Sequence, residues 1–182
     1  MTTAEQAVDV LKTSAPFEAL SQELLQRIAA LGRPVCYRAG ETIYEVSTAA
    51  DDIYVVVEGE VQHVLDPGLA VATQLVKIVG RGGIFGWAAL FKDPPSTAPR
   101  TRLAKTTSLR DTDVLAINAQ ALTDVLDQGP TGTREEVMRR LASMVTRTYG
   151  FAGFVKVRGK LVPAHIAASG SAAPLEFDTF AF

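Results

Sequence analysis

Between Val35 and Asn118 the apolar residues of this chain recur at a spacing too short for a helix, and helical spacing resumes on either side. The segment reads as short strand-like runs parted by glycine turns. "VCYRAGETIY" folds around Ala39-Gly40 and "DIYVVVEGEVQHVLD" around Glu58-Gly59, and "QLVKIVG", "RLAKTTSL" and "DTDVLAIN" continue the series. Runs of this kind, turned back about every ten residues, build an antiparallel sandwich or barrel. Helices lie at the two ends and do not alternate with strands. That order predicts an α+β fold with an antiparallel β-roll over 35–118, and it excludes a doubly wound parallel sheet.

The flanking helices follow from periodicity and caps. Ala4, Ala7, Val8 and Leu11 define a first amphipathic helix. Ser14 is expected to N-cap a second, with Pro16 in its first turn, an apolar face of Leu20, Leu24, Leu25, Ile28 and Leu31, and Gly32 and Pro34 as the stop. Helices are thus expected within 4–31. Beyond the roll, Ala121, Leu122, Val125 and Leu126 mark a short helix ending near Gly129-Pro130. "TREEVMRRLASMVTRTY" marks a longer one, with Thr133 as its expected N-cap and Glu135 and Glu136 in the first turn. The domain is therefore drawn over 1–149, with C-terminal helices at 119–149. Residues 150–182 form an extension containing a spacer, "ASGSAAP", and a tail, "LEFDTFAF".

Composition excludes several classes. A formal net charge of -2 gives no global pull toward nucleic acid. Cys36 is the one cysteine, so no internal disulfide framework is available. "MTTAEQAVDV" lacks the basic and apolar regions of a signal peptide, and no apolar run approaches the roughly 18 residues of a spanning helix. A soluble cytoplasmic location is expected. No GxSxG, HExxH, CxxC or Walker A sequence occurs, so no enzymatic activity is expected.

The order of helix, roll, glycine-rich cassette and two helices resembles the cyclic nucleotide-binding domain, in the sensor module of the Crp/Fnr type. The likeness covers Ala15 to Tyr149. "FEALSQELLQRIAAL" looks like the family's N-terminal helix. "AGETIY" and "DDIYVVVEGEV", with Gly40, Tyr54 and Gly59, look like its paired strands. "VGRGGIFGWAALF" and "RLA" look like its phosphate cassette. The resemblance implies a jelly-roll-like double-stranded β-helix. It also implies a pocket at Phe85, Gly86, Trp87, Ala88, Ala89, Leu103 and Ala104, with Arg100 or Arg102 facing the phosphate. In such a cassette backbone N–H groups and an arginine hold the phosphate. A glutamate after the glycine accepts from the ribose 2′-hydroxyl.

Here the glutamate position is Trp87, whose indole donates but cannot accept. Losing such a charged partner costs roughly 1.5–3 kcal/mol. Leu103 stands where the family has a hydroxyl residue, "FKDPPSTAPRTR" is longer than the family's loop, and Ser47 replaces a turn glycine. No cofactor is expected, and cAMP or cGMP is disfavoured by Trp87. His63 is expected on the exposed face of its strand and Cys36 is expected to pack. These two are the strong axial ligands a haem would need, with no other histidine near, and no metal site is expected.

The long helix places Met138, Leu141, Val145 and Thr148 near a heptad seam, a candidate homodimer contact. The residues after Tyr149 have the wrong composition for a DNA-reading helix pair, so DNA is excluded as a partner. Arg139, Arg140, Arg147, Lys156 and Arg158 are candidate partner-binding residues, for an acidic protein or, peripherally, an anionic membrane. The alternative is a solvated helix face followed by a basic hairpin at Arg158-Gly159. Leu175, Phe177, Phe180 and Phe182 either fold back on the domain or enter a partner groove. Two functional readings stand. The first is a non-enzymatic adaptor or regulatory subunit with a degenerate pocket, docking on a protein assembly through the C-terminal helix and tail. The second is a sensor of cAMP, cGMP or another small anion that relays occupancy through the C-terminal helices.

Overall fold

The first helix, α1 (Ala4–Thr13), begins at a capping box: Thr3 Oγ1 accepts from Gln6 N at 3.2 Å, and Gln6 Oε1 accepts from Thr3 N at 2.8 Å. The structure, a computed structural model, describes residues 3–65, 75–90, 101–149, 154–157 and 160–163. Ser14 closes α1 and does not open the next helix, its hydroxyl donating to Val10 O at 3.1 Å. The cap of α2 (Gln22–Leu31) is Ser21, which accepts from Leu24 N. The turn between them plants Phe17 in the core at 1 % exposure, and that anchorage delays the second helix past the proline.

Two antiparallel four-stranded sheets follow. The first is ordered β1 (Arg33–Tyr37), β8 (Thr112–Asn118), β3 (Asp52–Glu58), β6 (Ile84–Phe85). The second is ordered β2 (Thr42–Tyr44), β7 (Ala104–Ser108), β4 (Val61–Leu65), β5 (Leu75–Val79). This is the expected antiparallel roll, opening two residues earlier than drawn. Strand β6 went unanticipated, being two residues pairing Tyr54 with Phe85 and Val55 with Ile84.

The continuous apolar run "IYVVV" has a structural cause: β3 is buried on both faces. Ile53, Val55 and Val57 join a core shared with the helices. Tyr54 and Val56 face the roll interior with Tyr44, Val61, Phe85, Val114 and Ala116. Strand β8 divides likewise, Leu115 and Ile117 to the helical side, Val114 and Ala116 to the roll. Burying such side chains stabilises by roughly 1.5–3 kcal/mol each, and these two strands contribute to both cores at once.

Helix α3 (Ala119–Asp127) starts at Asn118, whose Oδ1 accepts from Gln120 N and Ala121 N. Helix α4 (Thr133–Tyr149) has Thr133 as its first residue, not its cap, with Glu136 N donating to Gly132 O. Val137, Leu141 and Val145 of α4 lie in the core shared with α1 and α2, each at 1 % exposure. The seam read from sequence at Leu141 and Val145 therefore packs against the chain's own domain. Strands β9 (Phe154–Val157) and β10 (Lys160–Pro163) pair antiparallel, as the alternative reading of a hairpin at Arg158-Gly159 has it.

Candidate functional site

The cassette begins where β6 ends. Gly86 adopts φ +74°, and a three-residue 3-10 turn, Trp87–Ala89, follows it. A glycine is required there: a Cβ would lie 2.7 Å from Arg102 Nη1 and 3.0 Å from Tyr54 Cδ2. The turn divides the cassette side chains between two cores. Phe85 points into the roll and stacks on Tyr54, ring centroids 4.9 Å apart at 9°. Trp87, 2 % exposed, and Ala89 join the core under the helices, while Ala88 and Leu103 are half-buried against it and Ala104 is buried in it.

Arg102 occupies the centre. It is 4 % exposed, and its Nη1 donates to Asp52 O at 2.8 Å and to Gly86 O at 3.1 Å. Its guanidinium carbon lies 4.4 Å from the Tyr44 ring centroid and 5.4 Å from that of Tyr54. Its Nε is buried with no hydrogen-bond partner among the described residues. The backbone on either side is pinned to the turn before β3, Arg102 N donating to Thr48 O and Ser47 N to Arg102 O. Ser47 itself has φ +66°, the left-handed conformation that its glycine-like position demands. Asp52, whose backbone serves Arg102, directs its carboxylate outward to Arg33 at 3.0 Å. Of the two arginines considered from sequence, Arg102 lines the pocket, and Arg100 lies outside the described residues.

The pocket left among these side chains measures about 10 Å³, about the room one water needs, and is lined by Tyr44, His63, Gly86, Trp87, Ala88, Arg102, Leu103 and Ala104. His63 corrects an expectation: it is buried, not exposed. In β4, Val61 and His63 share the inward phase while Gln62 and Val64 face out. His63 Nδ1 lies 2.9 Å from the buried Thr106 Oγ1 and 3.4 Å from the Tyr44 hydroxyl. Burial, reinforced by the Arg102 charge, pushes its pKa down to about 4, so the ring is neutral. Burial likewise raises Tyr54, against the opposing pull of Arg102. Thr106, three residues beyond Leu103, brings a buried hydroxyl to this site beside that of Tyr44, and neither residue is among those expected there. The signal was present in strand alternation.

Cys36 is also corrected. It does not pack but lies exposed on β1, its thiol donating to Asp113 Oδ1 at 2.6 Å on the paired strand. That carboxylate, with a smaller burial contribution, raises the thiol pKa. Cys36 and His63 thus lie in different surroundings, one on the surface and one inside the roll. Among the described residues no cluster of three His, Cys, Asp or Glu side chains could hold a metal ion.

The partner-binding candidates separate in the same way. Arg139 and Arg140 of α4 both hold Glu136, by contacts of 2.6–2.8 Å, and Arg140 Nη1 reaches Glu18 Oε1 at 2.7 Å. Arg147 lies on the same helix and is exposed. Lys156 sits on β9 by its backbone, and Arg158, Leu175, Phe177, Phe180 and Phe182 lie outside the described residues.

Residues 34–129, more than half the chain, match the family described as "Cyclic nucleotide-binding domain". The chain belongs to that family. Among solved structures, the N-terminal domain of a transcriptional regulator from Streptomyces coelicolor A3(2) is 26% identical, covering 78% of this chain and 96% of that one at a TM-score of 0.59. The sensor domain of the transcriptional regulator DNR from Pseudomonas aeruginosa shares the fold at 18% identity, covering 81% and 93% at a TM-score of 0.62. Two curated relatives from Mycobacterium tuberculosis strains, each described as an uncharacterized ABC transporter ATP-binding protein, are 42% identical over 86 residues. That match spans 44% of this chain but 25% of theirs. The fold is that of a cyclic nucleotide-binding domain. No helix among the described residues is long and apolar enough to cross a membrane.

Proposed function

We propose that this chain is a non-catalytic regulatory module of the cyclic nucleotide-binding family whose pocket is closed by its own side chains, and that it acts as an adaptor on a protein assembly. One observation carries the reading. The residue in the ribose-hook position, Trp87, is held in the hydrophobic core, and the space left beside Arg102 is about 10 Å³. The described residues do not fit a cyclic nucleotide: the ribose-hook position carries an indole, which cannot accept, and the arginine is already engaged by two carbonyls and a tyrosine face. Docking then falls to surfaces outside the pocket, α4 foremost, with the tail residues Phe177, Phe180 and Phe182 as further candidates in a cytoplasmic setting. The mycobacterial relatives suggest the assembly. A segment similar to this one lies inside chains described as ABC transporter ATP-binding proteins, so such a protein is the partner this reading names.

The sensor reading keeps one observation in its favour. Among the described residues Arg102 is a buried cation with no carboxylate bonded to it and with its Nε unmatched, an arrangement that a small anion would complete. Isothermal titration of the purified chain with cAMP and with cGMP, beside a Trp87→Glu variant checked for folding, separates the two. No heat from the wild type is the expected result, and binding gained by the variant would show that Trp87 alone closes the site. Micromolar binding by the wild type overturns the closed-pocket reading.

A further inference from the structure

The polar side of α4 and the connection between α1 and α2 enclose a second, larger concavity. It measures about 220 Å³ and is lined by Ala15 and Glu18 from the connection and by Arg139, Arg140, Ser143 and Arg147 from α4. Arg140, Ser143 and Arg147 follow one another at spacings of three and four, so they share one helix face. The groove already holds a carboxylate: Glu18 reaches in from the opposite wall to Arg140 at 2.7 Å, with more than half of its side chain still exposed to solvent. Two turns along, Arg147 is exposed and makes no ion pair among the described residues.

We propose that this groove receives an acidic segment of a partner protein, one carboxylate pairing with Arg147 and a second displacing Glu18 from Arg140. The proposal rests on the adaptor reading above and gives it a surface. Seven residues of helix rise about 10.5 Å between Arg140 and Arg147. Three residues of polyproline II chain cover about 9 Å and bring the side chain back to the same face, so acids spaced by two intervening residues match the two guanidinium groups. Arg140 is partly held in place by Glu136, which accepts from its Nε at 2.6 Å, and this leaves the Nη side turned toward the groove. A protein segment suits the concavity better than a lipid surface. Glu18 within the groove and Glu136 beside it would both face lipid phosphates on a flat membrane, whereas a narrow peptide leaves Glu136 outside its contact and has Glu18 alone to displace.

Anisotropy of a short fluorescein-labelled peptide of Glu-Gly-Ser-Glu repeats, titrated with the full chain at low salt, tests this. Arg147→Glu is compared with Arg38→Glu, an equal charge change on the exposed turn after β1. Glu18→Gln is compared with Glu23→Gln, which lies outside the groove. Peptide binding weakened about tenfold by Arg147→Glu and less than about twofold by Arg38→Glu is expected, as is about threefold tighter binding for Glu18→Gln but not for Glu23→Gln. Equal effects within either pair overturn the proposal, and so does an absence of peptide binding. Sedimentation with phosphatidylserine vesicles, unaccompanied by peptide binding, overturns it in favour of a membrane. A cAMP titration of the same samples reports on the closed pocket separately, so a failed groove and a failed adaptor reading give different results.

Discussion

The guanidinium of Arg102 brings its central carbon within 4.4 Å of the Tyr44 ring centroid, while its Nη1 bridges the carbonyls of Asp52 and Gly86. One side chain thus ties together β2, the start of β3 and the cassette turn. An arginine expected from the resemblance to face a phosphate makes internal contacts in this structure. Truncation removes charge-assisted hydrogen bonds and a cation–π contact, and relieves the burial of a cation, which offsets part of the loss. Arg102→Ala is expected to lower stability by about 3 kcal/mol in urea titration, and Tyr44→Leu by about 1–2 kcal/mol. A change within about 0.5 kcal/mol for Arg102→Ala would mean that the cation braces nothing.

The neutral, buried His63 makes stability depend on pH. Its folded pKa is about 4, against 6.5 for the free side chain. The unfolded chain therefore takes up the proton at higher pH than the folded chain does. The contribution is fully present above about pH 6.5 and is lost as pH falls toward 4, a span worth about 3 kcal/mol. The groups facing His63 are Thr106 and Tyr44, by contact, Arg102, whose charge reinforces the direction, and Lys77, its register partner on β5. Glu136, held down to about 2 by Arg139 and Arg140, loses its contribution at lower pH, below the ordinary carboxylate range. Urea midpoints at about pH 5 and pH 7.5 should differ strongly in the wild type and much less in His63→Leu. Parallel pH profiles for the two would remove His63 as the cause.

Strands β3 and β8 were legible because both are buried on two faces, and an unbroken apolar run leaves no polar phase to misread. The same logic failed for β4. There a histidine sits on the inward phase with Val61, and polarity outweighed parity in the reading. Nothing in "GGIFG" announces β6, since two residues carry no period and the strand exists only through its pairing with Tyr54 and Val55. The cap of α2 was misplaced because Ser14 and Ser21 are equally good cap residues. Tertiary anchorage of Phe17 decides between them. At the site, sequence supplied the cassette and the departure at Trp87. Tyr44, His63 and Thr106 enter only when the second sheet folds over it.

Trp87 is the sole tryptophan and is 2 % exposed. Its emission reports directly on the cassette, and the folded protein should fluoresce at the short wavelengths of an apolar environment, shifting red on unfolding. Trp87→Ala should cost about 3–5 kcal/mol, the range for emptying a core aromatic site. Trp87→Phe, keeping most of the volume, should cost less than half of that. A loss below about 1 kcal/mol for the alanine variant would place the indole in a yielding loop and reopen the pocket to ligand.

Gly86 and Gly40 form a matched pair for measuring how tightly the cassette turn is packed. Both have positive φ, +74° and +81°. Around Gly40 an added Cβ meets nothing within 4 Å, whereas at Gly86 it meets Arg102 Nη1 at 2.7 Å, Tyr54 Cδ2 at 3.0 Å and Asp52 O at 3.1 Å. Alanine at Gly40 therefore suffers only the left-handed backbone cost, about 1–2 kcal/mol, less the 0.4–1 kcal/mol or so recovered by stiffening the unfolded chain. Gly40→Ala is expected to lose about 0.5–1 kcal/mol. Gly86→Ala suffers the same backbone cost and must also push the Arg102 guanidinium off the Gly86 and Asp52 carbonyls. Its loss should exceed that of Gly40→Ala by at least about 2 kcal/mol. The comparison removes the backbone contribution common to both glycines, leaving the excess as a measure of Arg102 held against the turn. Equal losses would mean the arginine moves aside freely, and the brace inferred from its contact with Tyr44 would then carry no load.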